Sequence, residues 1–455
     1  MSVPHGGAAG NMLRTGLLSR LLAARGDLRV VIVSPLSKDE AFVREFGHDR
    51  VTFEDLPAHR PEGLEARLLA IVQAGYIASE VTESVRIRRQ EAIAKKSIRF
   101  IRTKRALAAT FAPSMIRPAT RYDLLDRMVA HADADAMFAR HRPVALLTSS
   151  PGLIFSEIPL LRTAKRQGVL ALAVDPSWDN FTNKLLPVRR VNRLIVWNDL
   201  MKQQAMDLHG YQADEVRVAG TPQWDLYFTT TPATRETFFQ RIGADPARRL
   251  VTLTTTPQEL YPHHDHVLRV MVKALQAGQW GDAQILVRLH PRDNAEAYAE
   301  FQHVPHVIIE KPFRSTVKAG DGLAVDVTEA NQRHLMDTMR HSDVVVNVAS
   351  TIAIEAAIFD TPVVNISFDG ETASEWARSA RRYYRFTHYV NITRHGAVRV
   401  AEAPASLVEE VGHYLQDPAR DRDGRRRMVL EQCQFLDGQS GARVASFVLE
   451  ALDGI

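Results

Sequence analysis

VVVNVASTIAIEAAIFDTPVVNI, residues 344–366, reads in three parts: an apolar run ending near Asn347, a helical stretch opened by Ser350 and Thr351, and a second apolar run from Pro362. Continuous β-branched runs flanking a helix-length segment are the pattern of buried parallel strands joined by a crossover helix. The same alternation extends outward in both directions. Further apolar runs lie at 29–34, 144–148, 170–174 and 193–197 in the first half, and at 250–255, 284–289 and 307–310 before the quoted stretch. The expected fold class is therefore α/β, with two doubly wound Rossmann-like domains.

The turn-rich segment GTPQWDLYFTTTPATRETFFQRIG, residues 220–243, interrupts this alternation and sets a boundary near residue 232. The expected organisation is a first domain over 1–232, a second over 233–423, and a helical segment over 424–455 that packs back across the joint. One feature is unusual. A doubly wound domain opens with a full strand before its first glycine-rich turn, yet only Met1 to Pro4 precede the glycines here. The opening strand is either very short or begins upstream.

The 455 residues include 57 Lys and Arg against 53 Asp and Glu, a net charge of +4, and this near balance argues against a nucleic-acid coat protein. A single cysteine, Cys433, excludes an intrachain disulfide, a cysteine zinc cluster and a CxxC redox pair, and fits a reducing cytoplasm. Residues 1–16 lack the apolar core of a signal peptide, and no run reaches membrane-spanning length. The HHDH run at His263–His266 is expected in a loop. Four adjacent ligand-type residues cannot converge on one ion, and Asp133 and Asp135 lie on a helical pattern, so no metal site is expected.

Three stretches carry chemistry at the carboxyl ends of second-domain strands, the edge where open α/β sheets bind ligands. Ser350 and Thr351 fall where backbone N–H groups and the helix dipole receive a phosphate, although the pair also serves as an ordinary cap. Glu355, one turn on, is placed to accept hydrogen bonds from a ribose diol. QILVRLHPRDN, residues 284–294, sets Arg288 and His290 on one side of a strand by alternation, followed by the rigid Pro291. RLVTLTTTPQE, residues 249–259, brings Thr255 and Thr256 to a turn, where hydroxyls can meet phosphate or simply reflect β propensity.

The order strand-TTP, RLHP and VASTIAIEAAIFDTPVV resembles the nucleotide-binding half of GT-B glycosyltransferases and their relatives, over roughly residues 170–370. Those relatives include the CDP-glycerol glycerophosphotransferases, the HP-motif bacterial sialyltransferases and the non-hydrolysing UDP-N-acetylglucosamine 2-epimerases. The resemblance implies a GT-B architecture in which two domains face across a cleft. It makes His290 and Pro291 the HP pair on the donor phosphate, Ser350 and Thr351 the phosphate-binding pair, and Glu355 the ribose ligand. DPSWDNFTNKLLPVRRVNRLIVWND, residues 175–199, and VAGTPQWDLY, residues 218–227, are similar to blocks of bacterial surface-polysaccharide transferases.

On the acceptor side, Asp179 follows a strand in a polar loop. It can take a proton from an acceptor hydroxyl, with Lys184 offsetting charge, or it can form an Asx-turn with Asn180. PHGGAAGNMLRTGLLSRLL, residues 4–22, supplies a candidate loop in which Gly6, Gly7 and Gly10 admit a ligand before a helix bearing Arg14. Its G-G-x-x-G spacing is not the dinucleotide fingerprint. By the resemblance this loop faces the acceptor and donor diphosphate, and His5 is the rival base. Residues 86–105 carry nine Lys or Arg against one Glu, with interleaved isoleucines. They read as a solvated helical face or as an anchor for an anionic membrane surface.

These readings converge on metal-independent, cofactor-free transfer of a sugar from a nucleotide-activated donor to a cell-surface glycan or lipid-linked acceptor. Nucleic acid is not an expected partner, and the location is cytoplasmic, with possible attachment to the inner face of the membrane. A CDP-glycerol-type glycerophosphotransferase is the nearest alternative. Beyond it stand a 2-epimerase and a non-catalytic nucleotide-sugar-binding protein.

Overall fold

The computed structural model describes residues 1–94, 126, 129–184, 190–311 and 328–454. The chain forms two compact units, Met1–Phe228 with Cys433–Ile455, and Thr229–Gln432. Each is an α/β unit built on parallel sheets, as the apolar runs require.

The first unit carries strands β1 (Val30–Val33), β2 (Val51–Glu54), β3 (Ala145–Thr148), β4 (Leu170–Val174), β5 (Arg193–Val196) and β6 (Val216–Val218). Parallel pairs join β1 to β2, and β3, β4, β5 and β6 in that order. Residues 1–3 close the gap between the two sheets. Ser2 bridges Val33 in parallel, its N–H donates to the Leu147 carbonyl at 2.8 Å, and the Val3 N–H donates to Val33 at 2.9 Å. Residues 1–3 are thus central, and successive strands are added outward on either side of them, all parallel.

The helix Ser440–Asp453 packs against the helix Leu17–Ala24, burying Val444, Ala445 and Val448 with Leu17, Leu21, Leu147 and Leu172. Its docking explains the 218–227 block. The Asp225 carboxylate accepts the N–H groups of Ser440 and Gly441 at 2.9 and 2.7 Å. Gly220 has φ 88°, and a Cβ there would run into Ser440. The helix Arg422–Cys433 begins within the second unit, so the C-terminal stretch serves both units.

The second unit is one six-stranded parallel sheet in the order β12-β11-β10-β7-β8-β9. Its strands are β7 (Arg249–Thr254), β8 (Ala283–Arg288), β9 (Val307–Glu310), β10 (Val344–Asn347), β11 (Val363–Ile366) and β12 (Arg399–Ala401). One face packs Val251, Ile285, Val346 and Val364 against the helices His264–Gln276 and Pro404–Gln416. The chain runs from β7 to β8 and β9 on one side and later to β10, β11 and β12 on the other. The β7/β10 boundary is therefore the topological switch point, where such sheets form a crevice beyond their carboxyl ends.

Several expectations shift in detail. β8 ends at Arg288, so strand alternation does not extend to His290. The HHDH run is not a loop, because a helix starts at His264. Residues 6–12 are helical from Gly6 instead of forming a glycine loop, because the His5 side chain caps the helix. Of the basic segment, residues 95–105 lie outside the described residues. In its described part, Arg86, Arg88 and Arg89 pair with Glu83, Glu91 and Glu80. No helix among the described residues is long and apolar enough to cross a membrane.

Candidate functional site

In the second unit, the turns that follow β7, β8 and β10 carry the sequence-predicted donor residues. The Thr255 hydroxyl accepts the His290 N–H at 2.8 Å, and the Thr255 N–H donates to the Arg288 carbonyl at 3.1 Å, so the TTP and HP turns are tied together. Thr256 is held by His264, whose Nε2 accepts the Thr256 N–H at 2.9 Å. His264 is 2% exposed, and burial depresses it to about 4.

The Nδ1 of His290 accepts the Arg292 N–H at 3.1 Å. A backbone N–H can only donate, so the neutral ring keeps its proton on Nε2. Burial, with Arg292 nearby, lowers this histidine to about 4, and His290 is therefore a neutral N–H donor, suited to a phosphate oxygen. Pro291 follows it in the turn.

Arg288 is differently placed from its sequence expectation. Its guanidinium is buried and donates to Glu310 at 2.7 Å, while the other Glu310 oxygen meets His334 Nε2 at 2.8 Å. Its charge is thus offset within the β8–β9 pair, which it braces from within.

After β10, Ala349 takes a positive φ of 23° and its N–H reaches the Tyr384 hydroxyl at 3.4 Å. This turns the chain sharply, so that Ser350 and Thr351 stand half-buried before the helix Ile352–Ile358. Ser350 Oγ accepts the Ile352 N–H at 3.3 Å, and the Thr351 side chain makes no capping bond. Glu355 is buried on the same helix. The Ser-Thr turn and the TTP turn flank the β7/β10 switch point.

In the first unit, a small pocket opens beyond the carboxyl ends of the sheet. His5 follows residues 1–3, Ser149 follows β3, Asp175 follows β4, Trp197 follows β5 and Gln223 follows β6, and Asn11 is among the other lining residues. His5 Nδ1 accepts the Ala8 N–H at 3.1 Å, and burial lowers its pKa to about 4. Gly7 leaves room for the ring, since a Cβ there would approach Nδ1 to 3.2 Å.

Asp175 was missed by sequence reasoning, although it opens the quoted 175–199 block. Its Oδ1 accepts the Ser177 N–H at 3.0 Å and the Asn180 Nδ2 at 2.8 Å, while its Oδ2 is buried without a hydrogen-bond partner. Burial pushes this carboxyl up to about 7. Glu157 was missed too. It accepts the Ser149 N–H and hydroxyl at 2.8 and 3.0 Å and the Ser150 hydroxyl at 2.7 Å, which fixes Ser149 at the pocket, and burial raises it to about 7.

Asp179 is absorbed by its own loop. It accepts from the Ser177 hydroxyl at 2.5 Å and from Asn183 at 3.1 Å, with the Lys184 ammonium 3.5 Å away. Asn180 serves Asp175, as above. Arg14 forms a two-pronged pair with Glu45 at 2.7 and 2.8 Å and lies over the Phe46 ring. Gly6 lies in the first turn of the capped helix.

Comparison with known proteins extends this picture. The lipid-A-disaccharide synthase of Syntrophotalea carbinolica is 24% identical over 248 residues, covering 52% of this chain and 56% of the relative, so the chain spans just over half the length of that relative. The UDP-GlcNAc 2-epimerase of Neisseria meningitidis, solved with UDP-GlcNAc, superposes with a TM-score of 0.56 at 11% identity, over 99% of this chain and 98% of that one. The S. aureus MnaA–UDP structure gives 0.55 at 10% identity over 100% and 97%. At such identities the likeness establishes the fold alone, and that fold is GT-B-like. The model of the CDP-glycerol:poly(glycerophosphate) glycerophosphotransferase family matches residues 163–450, well over half of the sequence, and the chain belongs to that family.

Proposed function

We propose that this protein transfers glycerol phosphate from CDP-glycerol to a hydroxyl of a cell-surface glycan or lipid-linked acceptor. The family match across residues 163–450 carries this reading, and it moves the glycerophosphotransferase ahead of the sugar transferase that the motifs alone put first. The geometry of the second unit supports it. A neutral imidazole N–H at His290, the Ser350 and Thr351 hydroxyls and the locked Thr255–Thr256 turn surround the switch point with donors suited to a diphosphate. In this reading those donors meet the leaving phosphate, Glu355 holds the ribose, and no metal cofactor is invoked. Acceptor hydroxyls are bound by the first unit.

Sugar transfer from a nucleotide donor is the second reading, favoured by the similarity to lipid-A-disaccharide synthase. A thermal-shift and turnover panel with CDP-glycerol and with UDP-, GDP- and CMP-linked sugars separates the two. The proposal expects stabilisation by CDP-glycerol and by CDP, lost in His290→Ala, together with release of CMP. Stabilisation by a UDP- or GDP-sugar alone would overturn it in favour of the second reading. We further propose that the basic segment 86–105 attaches the protein to an anionic membrane surface, which sedimentation with vesicles containing anionic lipid tests. Binding that is unchanged when the cations of 95–105 are neutralised would remove it.

A further inference from the structure

The pocket of the first unit holds two groups that can handle a proton, His5 and Asp175, and the hydrogen bonds around them assign different roles. His5 Nδ1 is committed to the Ala8 N–H at 3.1 Å. Because that partner is a backbone donor, the tautomer is not in question: the lone pair of the ring lies at Nδ1 and its hydrogen at Nε2. A neutral imidazole has no second lone pair for a proton. To act as a base, His5 would have to abandon the cap, strand the Ala8 N–H and become a cation where burial opposes charge. Held as it is, the ring offers an N–H.

Asp179 has both oxygens engaged, one by Ser177 and the other by Asn183 with Lys184 nearby. Asp175 is the converse case. Ser177 N–H and Asn180 Nδ2 clamp its Oδ1, which fixes the plane of the carboxylate, and the Trp197 indole N–H holds its backbone carbonyl at 3.0 Å. Its Oδ2 is fully buried and takes no hydrogen bond from the protein, in a residue that lines the pocket with His5, Ser149 and Gln223.

We propose that Asp175 is the catalytic base of the acceptor site, taking the acceptor hydroxyl proton on Oδ2, and that His5 serves the same pocket as a neutral Nε2–H donor. The step rests on the transfer reading above. The acceptor O–H bond breaks and its proton passes to Asp175. The electron pair of the oxygen forms the bond to the donor phosphorus, the bond from phosphorus to the CMP oxygen breaks, and that electron pair leaves with CMP. Asp175 then returns its proton to water. Burial places this carboxyl at about 7, close to where a base is both unprotonated and strong enough to act. The charged groups that face it are Asp179, which raises its affinity for a proton, and Lys184, which lowers it.

The test uses the full chain, CDP-glycerol as donor, and glycerol or trifluoroethanol as surrogate acceptor hydroxyls, with CMP release as readout. Asp175→Asn is expected to lower turnover by roughly 10²- to 10⁴-fold with glycerol, while its affinity for CDP, measured calorimetrically, stays within about twofold of wild type because no donor contact is touched. The deficit should narrow at least about tenfold with trifluoroethanol, whose more acidic hydroxyl depends less on a base. His5→Asn, which can still cap the helix, should retain far more activity than Asp175→Asn. The wild-type pH profile, which needs no variant, should rise through a limb near 7. Equal activity of Asp175→Asn, or a larger loss in His5→Asn together with trifluoroethanol rescue of that variant, would overturn the assignment. A wild type that binds CDP but releases no CMP would overturn the transfer reading itself, and the base with it.

Discussion

Replacing Asp225 by alanine should release one helix without unfolding the protein. The carboxylate takes two backbone N–H groups at the start of the helix Ser440–Asp453, at 2.9 and 2.7 Å. A hydrogen bond to a charged group contributes about 1.5–3 kcal/mol. The sum for two is too large as a net effect, because burial raises the Asp225 carboxyl and so offsets part of the gain. A lost helix cap typically costs about 1 kcal/mol and at most about 2. Together these place the net loss near 2–3 kcal/mol, with Asp225→Asn losing about half as much because one acceptor remains. Amide hydrogen exchange read by mass spectrometry localises the effect. Peptides spanning 440–453 should exchange roughly 30- to 150-fold faster, while peptides from β7, β8 and β10 in the second unit stay at wild-type rates. Exchange within threefold of wild type across 440–453, or an equal acceleration in the second unit, would refute the assignment of Asp225 as a local clasp.

Three further outcomes follow from the same kind of reasoning. Thr255→Val removes the acceptor of the His290 N–H and should destabilise the HP turn by about 1–3 kcal/mol, read as weaker binding of CDP with little change in overall melting. His209 and His264 are buried and both depressed to about 4, so the stability they lend is present above their ordinary value near 6.5 and is lost as pH falls towards 4. Each contributes on the order of 3 kcal/mol, and a melting curve that does not fall between pH 6.5 and 4 would contradict this. Asp175 has the opposite sign. Its folded carboxyl is raised to about 7, so stability present below pH ~4 is lost as pH climbs to 7. Asp175→Asn should therefore melt higher than wild type at pH 8, by at most about 4 kcal/mol of stability, and the gain should vanish near pH 4.

The interior strands were legible because a strand buried on both faces must be apolar throughout, and nine apolar runs stand where the structure has β1, β3–β5 and β7–β11, the edge strand β9 among them. Three other edge strands were not. VTFE, VRV and RVA at β2, β6 and β12 are three or four residues long and carry half-exposed or polar positions, so their sequences resemble turns. The glycine-rich start was misread for a related reason. Histidine is an uncommon cap, and nothing in PHGG announces that its ring will accept the Ala8 N–H. Among the site residues, the proximity of Thr255 and His290 followed from strand order, since both leave the carboxyl edge of adjacent strands. Asp175 and Asp179 could not be ranked that way. They stand four residues apart in one polar block, and only burial and the choice of partners separate the carboxylate with an uncommitted oxygen from the one absorbed by its loop.

The helix Ser440–Asp453 gives the first unit a delayed birth. Everything the second unit needs lies in one continuous stretch, Thr229–Gln432, and can fold as it emerges from the ribosome. The first unit emerges earlier but lacks the apolar stripe of Val444, Ala445 and Val448 until some 200 residues later. At usual synthesis speeds that is a wait on the order of 10 to 40 s. During it Leu17 and Leu21 remain uncovered on the growing chain, a target for chaperones, and the part of the protein made first becomes the part finished last.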